Sequence, residues 1–414
     1  MGRSNAIAFG LRLSSAVAKF LLVTYLGFRD HETLLGELAL FVAITTIFTQ
    51  VAGLELNQVI GRRLQSLSRH ERNRLLNFHA LASGIVYLLA VPTIYFFYWE
   101  LLELYWVIGI PILILEHYVT EIYRLNILDL KPVRASVVLF LKNVGWVALF
   151  IALIEIGGWN PAMELILVCW LFFLVCAVIA SVFLNGMPQP DACSFHFRKS
   201  IRGVAELVWS AKTFVVSATA IAGIGAIDKL IIAHYFSLDE LGVFYLFQTI
   251  ATIPAIIVSF SIGATIWPKC IKYAALGQEA ECKRIWNELN RLFVVVTIVL
   301  STALALVVMF SLNISIVDRY QQDYLVFILL LGASAFFVMC DPYKLKLYIQ
   351  RKDRILLIAN VAQFSIVALF VLIGAQQKEM EFLTGSICAA NFVALISFRY
   401  FTSRVSNSSM RLTK

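Results

Sequence analysis

The sequence predicts an all-α polytopic membrane protein, with twelve transmembrane helices in two parallel six-helix lobes around a central cleft. Three observations predict it. Twelve apolar stretches of spanning length fill the chain of 414 residues. Basic residues sit on one side of those stretches. The second half of the chain repeats the first.

A bilayer core takes about 20 apolar residues per helix. Stretches of that kind fall near 6–28, 35–60, 75–97, 102–122, 134–156, 162–184, 208–236, 241–266, 292–312, 323–341, 354–374 and 382–401. The composition is 60% hydrophobic and 14% charged, and mean hydropathy is +0.82. A soluble domain with that surface would aggregate. The first stretch is read as a span and not as a cleaved signal peptide, because it is too long for an h-region and carries Arg12 and Lys19. Trp99, Trp106, Trp159, Trp209 and Trp267 lie near span ends, where interfacial anchors belong.

Orientation follows from Lys and Arg. With a cytoplasmic N-terminus, the segments on the inner side hold 26 of the 34 basic residues, in groups such as Arg62–Arg63, Arg198–Lys199 and Arg351–Lys352. The outer loops hold Arg29, Arg319 and Lys378 alone. Both termini are therefore expected on the cytoplasmic side of the membrane. The net charge of +8 is explained by this bias, so it does not indicate nucleic-acid binding. No basic stretch carries the interleaved aromatics of a single-strand binder.

Several functions are excluded by what the loops lack. There is no GxxxxGK[ST] loop, no GxSxG and no HExxH. The outer loops are short, which argues against a membrane polymerase or glycosyltransferase. The protein is not expected to be an enzyme. The seven cysteines form no CxxC pair and no Cys/His zinc spacing, and Cys193, Cys270 and Cys282 fall on the reducing side. No metal site and no cofactor are expected.

The repeat is visible at two places. Ala18-Lys19-Phe20-Leu21 aligns with Asp228-Lys229-Leu230-Ile231, and Leu35-Gly36 with Leu241-Gly242. Farther along, Glu121-Ile122-Tyr123-Arg124 aligns with Asp341-Pro342-Tyr343-Lys344. Each half has an even number of spans, so the repeats are parallel, and rocking of one lobe against the other would give alternating access. The expected division is an N-terminal lobe over 1–190, a cytoplasmic linker over 191–207 and a C-terminal lobe over 208–414.

Charged side chains inside spans mark cavities or pathways. Arg12 and Lys19 are about two turns apart and share a helix face. Lys229 is the repeat partner of Lys19, and Asp228 stands beside it. Lys142 lies midway along the fifth span, where a cavity role and snorkelling fit equally. Arg12, Lys19, Lys229, Asp228 and Lys142 are therefore candidate substrate-binding residues. Glu116 and His117 are candidates for ion coupling, since both titrate near neutrality when buried; pairing with Lys142 or Arg124 is the competing role. Glu121 and Asp341 each stand three residues before a base, so an i,i+3 ion pair is expected. His79 is expected to be a satisfied core histidine. A cationic cavity suits an anion such as pyrophosphate.

With Asp228-Lys229…Leu241-Gly242-Val243-Phe244-Tyr245, its echo Lys19…Leu35-Gly36, and the basic Gly61-Arg62-Arg63-Leu64, the chain resembles the polysaccharide-transporter branch of the multidrug/oligosaccharidyl-lipid/polysaccharide exporter superfamily. More narrowly it resembles bacterial O-antigen and capsule repeat-unit flippases (Wzx type). The resemblance implies translocation of an undecaprenyl-pyrophosphate-linked oligosaccharide from the inner to the outer leaflet. It also implies coupling to a proton or sodium gradient, with a polysaccharide polymerase as candidate partner. A cation-coupled multidrug exporter is the alternative of the same fold. A flippase for the peptidoglycan precursor typically has two further spans.

Overall fold

The computed structural model describes residues 3–54, 69–98, 105–128, 131–185, 197–259, 262, 266–267, 269–270, 273, 278–312 and 323–409. Gly61-Arg62-Arg63-Leu64, Trp99, Cys193 and Arg319 lie outside the described residues. Every regular element among the described residues is helical. Among the described residues, eleven helices are long and apolar enough to cross a membrane. The fourth expected span falls on a helix over Trp106–Leu128, which has 23 residues but carries Glu116, Glu121 and Arg124, and it stands outside that apolar set. Large apolar side chains such as Leu88, Val107 and Phe183 point outward, as lipid contact requires.

Contacts divide the chain into two compact units. The first comprises Met1–Tyr25 and Phe41–Ala222, and the second Leu26–Leu40 and Gly223–Lys414. These units are defined by packing and the 1–190 and 208–414 lobes by chain symmetry, so the two divisions cut the chain at different places.

Helix α1 spans Arg3–Phe28 and α2 spans Glu32–Gly53; the end of α1 and the start of α2 belong to the second unit and the rest of each to the first. At 1.5 Å per residue, the 22 residues of α2 reach about 33 Å, enough for a hydrocarbon core of about 30 Å. Helix α3 (Arg69–Tyr98) and α4 (Trp106–Leu128) contain Pro92 and Pro111. Proline is tolerated there because neighbouring helices can satisfy the freed carbonyls. The fifth span, α5 (Pro132–Glu155), starts on a proline, whose missing N–H costs nothing at a helix N-terminus. Its middle, Leu141–Gly145, is a π turn. Helix α6 (Met163–Asn185) packs on α4 and α5. Trp170 of α6 lies flat on Trp146 at 5.2 Å and meets Phe41 edge-on at 5.6 Å. Helix α7 (Phe197–Ile224) joins Val204, Leu207 and Ala211 to Ala82 of α3.

The seventh expected span, 208–236, is two helices. Helix α7 ends at Ile224, and a short α8 (Ile227–Tyr235) follows. Gly223 and Gly225 flank the break and carry no side chain to hold a continuous helix.

The second unit continues with α9 (Leu238–Ala251), which starts on a capping box made by Ser237 and Glu240. Short α10 (Ile253–Val258) leads to α11 (Glu279–Leu312). The 34 residues of α11 reach about 51 Å, well beyond a bilayer core, and its first turns carry Glu281, Lys283 and Arg284. The expected span 292–312 is thus the membrane part of a longer helix. Helices α12 (Tyr324–Met339) and α13 (Asp341–Ile349) are separated at Cys340, before Pro342. Helices α14 (Asp353–Gln376) and α15 (Met380–Ser409) form a hairpin on α12. Phe244, Phe293, Phe327 and Phe398 are buried in this unit.

The repeat has a local counterpart in the second unit. A Cβ on Gly36 would stand 2.1 Å from the Leu238 carbonyl oxygen, and a Cβ on Gly242 would stand 2.1 Å from that of Glu32. On each helix the glycine stands four residues after the carbonyl it leaves exposed, and both pairs obey the offset of the aligned Leu35-Gly36 and Leu241-Gly242. Thr33 Oγ1 donates to Asp239 Oδ1 beside them. The starts of α2 and α9 therefore cross at backbone contact, which only glycine permits.

Candidate functional site

The candidate site is a buried polar network on α4, the helix whose charged residues keep it outside the apolar set. Its residues Glu116, His117 and Glu121 are all buried. Helix periodicity puts Glu116 toward α5 and α6, and the pair His117/Glu121 toward α3.

Lys142 sits on the π turn of α5. Its ammonium meets Glu116 Oε1 at 2.6 Å and donates to Thr120 Oγ1 at 2.7 Å. Trp170 Nε1 donates to Glu116 Oε2 at 3.4 Å. Both charged side chains are nearly buried, at 11% and 12% exposure. Lys142 therefore neutralises a carboxylate and does not snorkel. A π turn often marks a functional segment, because it re-aims side chains at the cost of poorer hydrogen bonds.

One residue along α4, His117 Nδ1 is hydrogen-bonded to Tyr87 Oη of α3 at 2.5 Å. The other ring nitrogen, Nε2, stands 3.9 Å from Glu121 Oε1. His79 Nε2 of α3 stands 3.7 Å from Glu121 Oε2. Arg124 Nη1 donates to Glu121 Oε1 at 2.8 Å. His79 Nε2, His117 Nε2 and Glu121 Oε2 have no hydrogen-bond partner among the described atoms. One ligand atom from each of these three residues falls within 4.8 Å of the other two, so they could hold a metal ion.

Arg12 of α1 is half-buried, and its Nε donates to Ser136 Oγ of α5 at 3.1 Å. Lys19 is exposed on the same helix. In the second unit, Lys229 Nζ meets Asp228 Oδ1 at 3.2 Å and donates to the Gly225 carbonyl at 2.9 Å. That carbonyl is freed by the break between α7 and α8, so Lys229 caps the end of α7. Asp228 Oδ2 accepts from Gln248 Nε2 at 2.5 Å.

The sequence-predicted residues thus separate into distinct groups. Lys142 and Glu116 come together, while His117 faces Tyr87 and Glu121; Asp228 and Lys229 form their own pair. The expected i,i+3 pairs are present: Glu121 with Arg124 at 2.8 Å, and its repeat partner Asp341 with Lys344 at 3.8 Å. Sequence reasoning missed Tyr87, Thr120, Trp170, Ser136 and Gln248 as partners. It also treated His79 as satisfied, whereas Nε2 has no described hydrogen bond. His117 and Glu121 at i,i+4 on one helix were the available signal.

No family model matches the chain, and no curated protein does. Solved structures do match, over nearly the whole chain. A lipid II flippase MurJ in an inward closed conformation aligns with a TM-score of 0.68 at 11% identity, covering 96% of this chain and 86% of that one. A multidrug resistance MATE family transporter of the MOP superfamily, facing inward, aligns at 0.64 and 12%, covering 98% and 96%. The same description in an outward-facing conformation aligns at 0.64 and 13%, covering 99% and 96%. The chain has the fold of MOP-superfamily transporters and flippases.

Proposed function

We propose that this chain is a flippase. It carries an undecaprenyl-pyrophosphate-linked oligosaccharide repeat unit from the inner to the outer leaflet of a bacterial inner membrane, for O-antigen or capsule synthesis. The lobes over 1–190 and 208–414 give alternating access, both termini are cytoplasmic, and a proton or sodium gradient drives the cycle. A polysaccharide polymerase takes the product, and membrane lipid surrounds the tail.

One observation carries the reading. The buried span carboxylates are already matched by bases: Glu116 by Lys142, Glu121 by Arg124 and Asp228 by Lys229. Arg12, in contrast, is held by a neutral hydroxyl, and no described carboxylate pairs with it. A set with neutralised acids and an extra guanidinium favours an anionic cargo, and Arg binds phosphate oxygens in a fork. Lys19, one face-sharing step along α1, extends the same cationic strip.

The test replaces Arg12 and Lys19 by Ala or Gln. Surface polysaccharide should disappear at unchanged protein level, with lipid-linked repeat units trapped in the inner leaflet. Full surface polymer would refute the assignment. The second reading, a cation-coupled multidrug exporter, draws on the buried Glu116. It requires that Glu116→Gln abolish drug efflux while polymer stays normal.

A further inference from the structure

Three buried side chains near the cytoplasmic half of α4 are arranged as ligands and not as hydrogen-bonding partners. A proton shared between His79 Nε2 and Glu121 Oε2 would bring them to about 2.8 Å. They stand 3.7 Å apart, and His117 Nε2 stands 3.9 Å from Glu121 Oε1. Ligand atoms about 2.0–2.1 Å from one tetrahedral zinc lie roughly 3.4 Å apart; His79 Nε2 and Glu121 Oε2 stand a few tenths of an ångström wider than that, and one ligand atom from each of the three residues lies within 4.8 Å of the other two. Three buried polar atoms without hydrogen-bond partners are costly to leave unmatched, and a shared cation removes that cost.

The surroundings supply what such a site needs. Tyr87 Oη stands at His117 Nδ1, so a proton on Nδ1 donates to the phenol and leaves Nε2 a lone pair. The His79 ring lies near the backbone of Gly53 at the end of α2. Arg124 donates to Glu121 Oε1 and leaves Oε2 toward His79. Gly53 itself closes the space: a Cβ there would stand 3.2 Å from His117 Nε2 and 3.3 Å from Glu121 Oε1.

We propose that His79, His117 and Glu121 form a site for a borderline divalent transition metal, of the zinc and cobalt class, with one coordination position left for a further ligand. Two imidazoles and one carboxylate suit that class and not the hard cations magnesium or calcium. The linear sequence lacks a zinc motif because the ligands come from two helices and are brought together by packing. The site is independent of the flippase reading.

The experiment titrates the full-length, tag-free protein in detergent with Co2+ and then displaces it with Zn2+. Wild type is expected to bind one Co2+ per chain with the visible d–d bands of a low-coordinate site. His79→Gln, His117→Gln and Glu121→Gln should lose the bands, while His234→Gln, an exposed histidine on α8, should keep them. Gly53→Ala changes no ligand and should weaken Co2+ at least tenfold. Tyr87→Phe should weaken it about 10–100-fold. Absence of d–d bands in wild type would overturn the proposal. So would an unchanged affinity in Gly53→Ala, or in the folded His117→Gln protein.

Discussion

Removing Glu116 should harm the protein more than removing Glu116 and Lys142 together. At 2.6 Å, the pair attracts with about 6 kcal/mol at an effective dielectric constant near 20. Desolvation of the two ions offsets most of that, so the intact pair is close to neutral for stability. Glu116→Gln, however, leaves a buried ammonium held by neutral oxygens such as Thr120 Oγ1, with no negative charge to match it. Breaking a buried pair from one side costs about 3–5 kcal/mol. The double variant Glu116→Gln/Lys142→Met leaves no orphaned charge and should lose about 1 kcal/mol. The assay is a double-mutant cycle by thermal or denaturant unfolding in detergent, with an expected coupling of about 5–9 kcal/mol, the two single losses less that of the double variant. If the double variant loses the sum of the two singles, the two groups are not coupled and the reasoning fails. If it is stable but inactive in transport, at least one of the two groups also works in the transport cycle.

Two further outcomes are expected. Gly36→Ala and Gly242→Ala each push a methyl into a carbonyl oxygen, so each should cost about 1–3 kcal/mol, read as reduced thermal stability; equal stability of both variants and wild type would disprove the close crossing. Asp323, just outside the start of α12, has its pKa raised by burial and then by Glu381 and Glu32. The folded state therefore holds this proton more tightly than the unfolded chain, and stability falls as pH rises from the ordinary carboxylate range through the raised value. Asp323→Asn should gain stability at pH 7 and show no gain at pH 3; a gain independent of pH would refute the cause.

The spans were legible because lipid demands a simple thing of each: enough consecutive apolar side chains to cross a core of about 30 Å. The ion pairs Glu121–Arg124 and Asp341–Lys344 were legible for the same local reason, since i,i+3 spacing fixes them within one helix. Glu116 with Lys142 was one of two readings, and sequence could not choose, because the choice depends on how α4 and α5 face each other. The break between α7 and α8 was missed because the residues on both sides are apolar, and hydropathy does not register a lost hydrogen bond. The length of α11 was missed because its first turns are charged. The meeting of His79 with His117 and Glu121 depends on the rotation of α3 about its own axis, and single-sequence reading does not supply that angle.

The π turn at Leu141–Gly145 ties the charge network to the aromatic packing behind it. A wide turn holds one residue more than the α-helical ladder would, and one residue is about 100° of rotation. The phase of everything from Trp146 to Glu155 is set there. Were the turn to close into ordinary α-helix, Trp146 would swing off the face of Trp170, whose ring nitrogen donates to the same Glu116 that holds Lys142. The ammonium, the carboxylate and the two stacked indoles thus work as a phase lock on the second half of that helix.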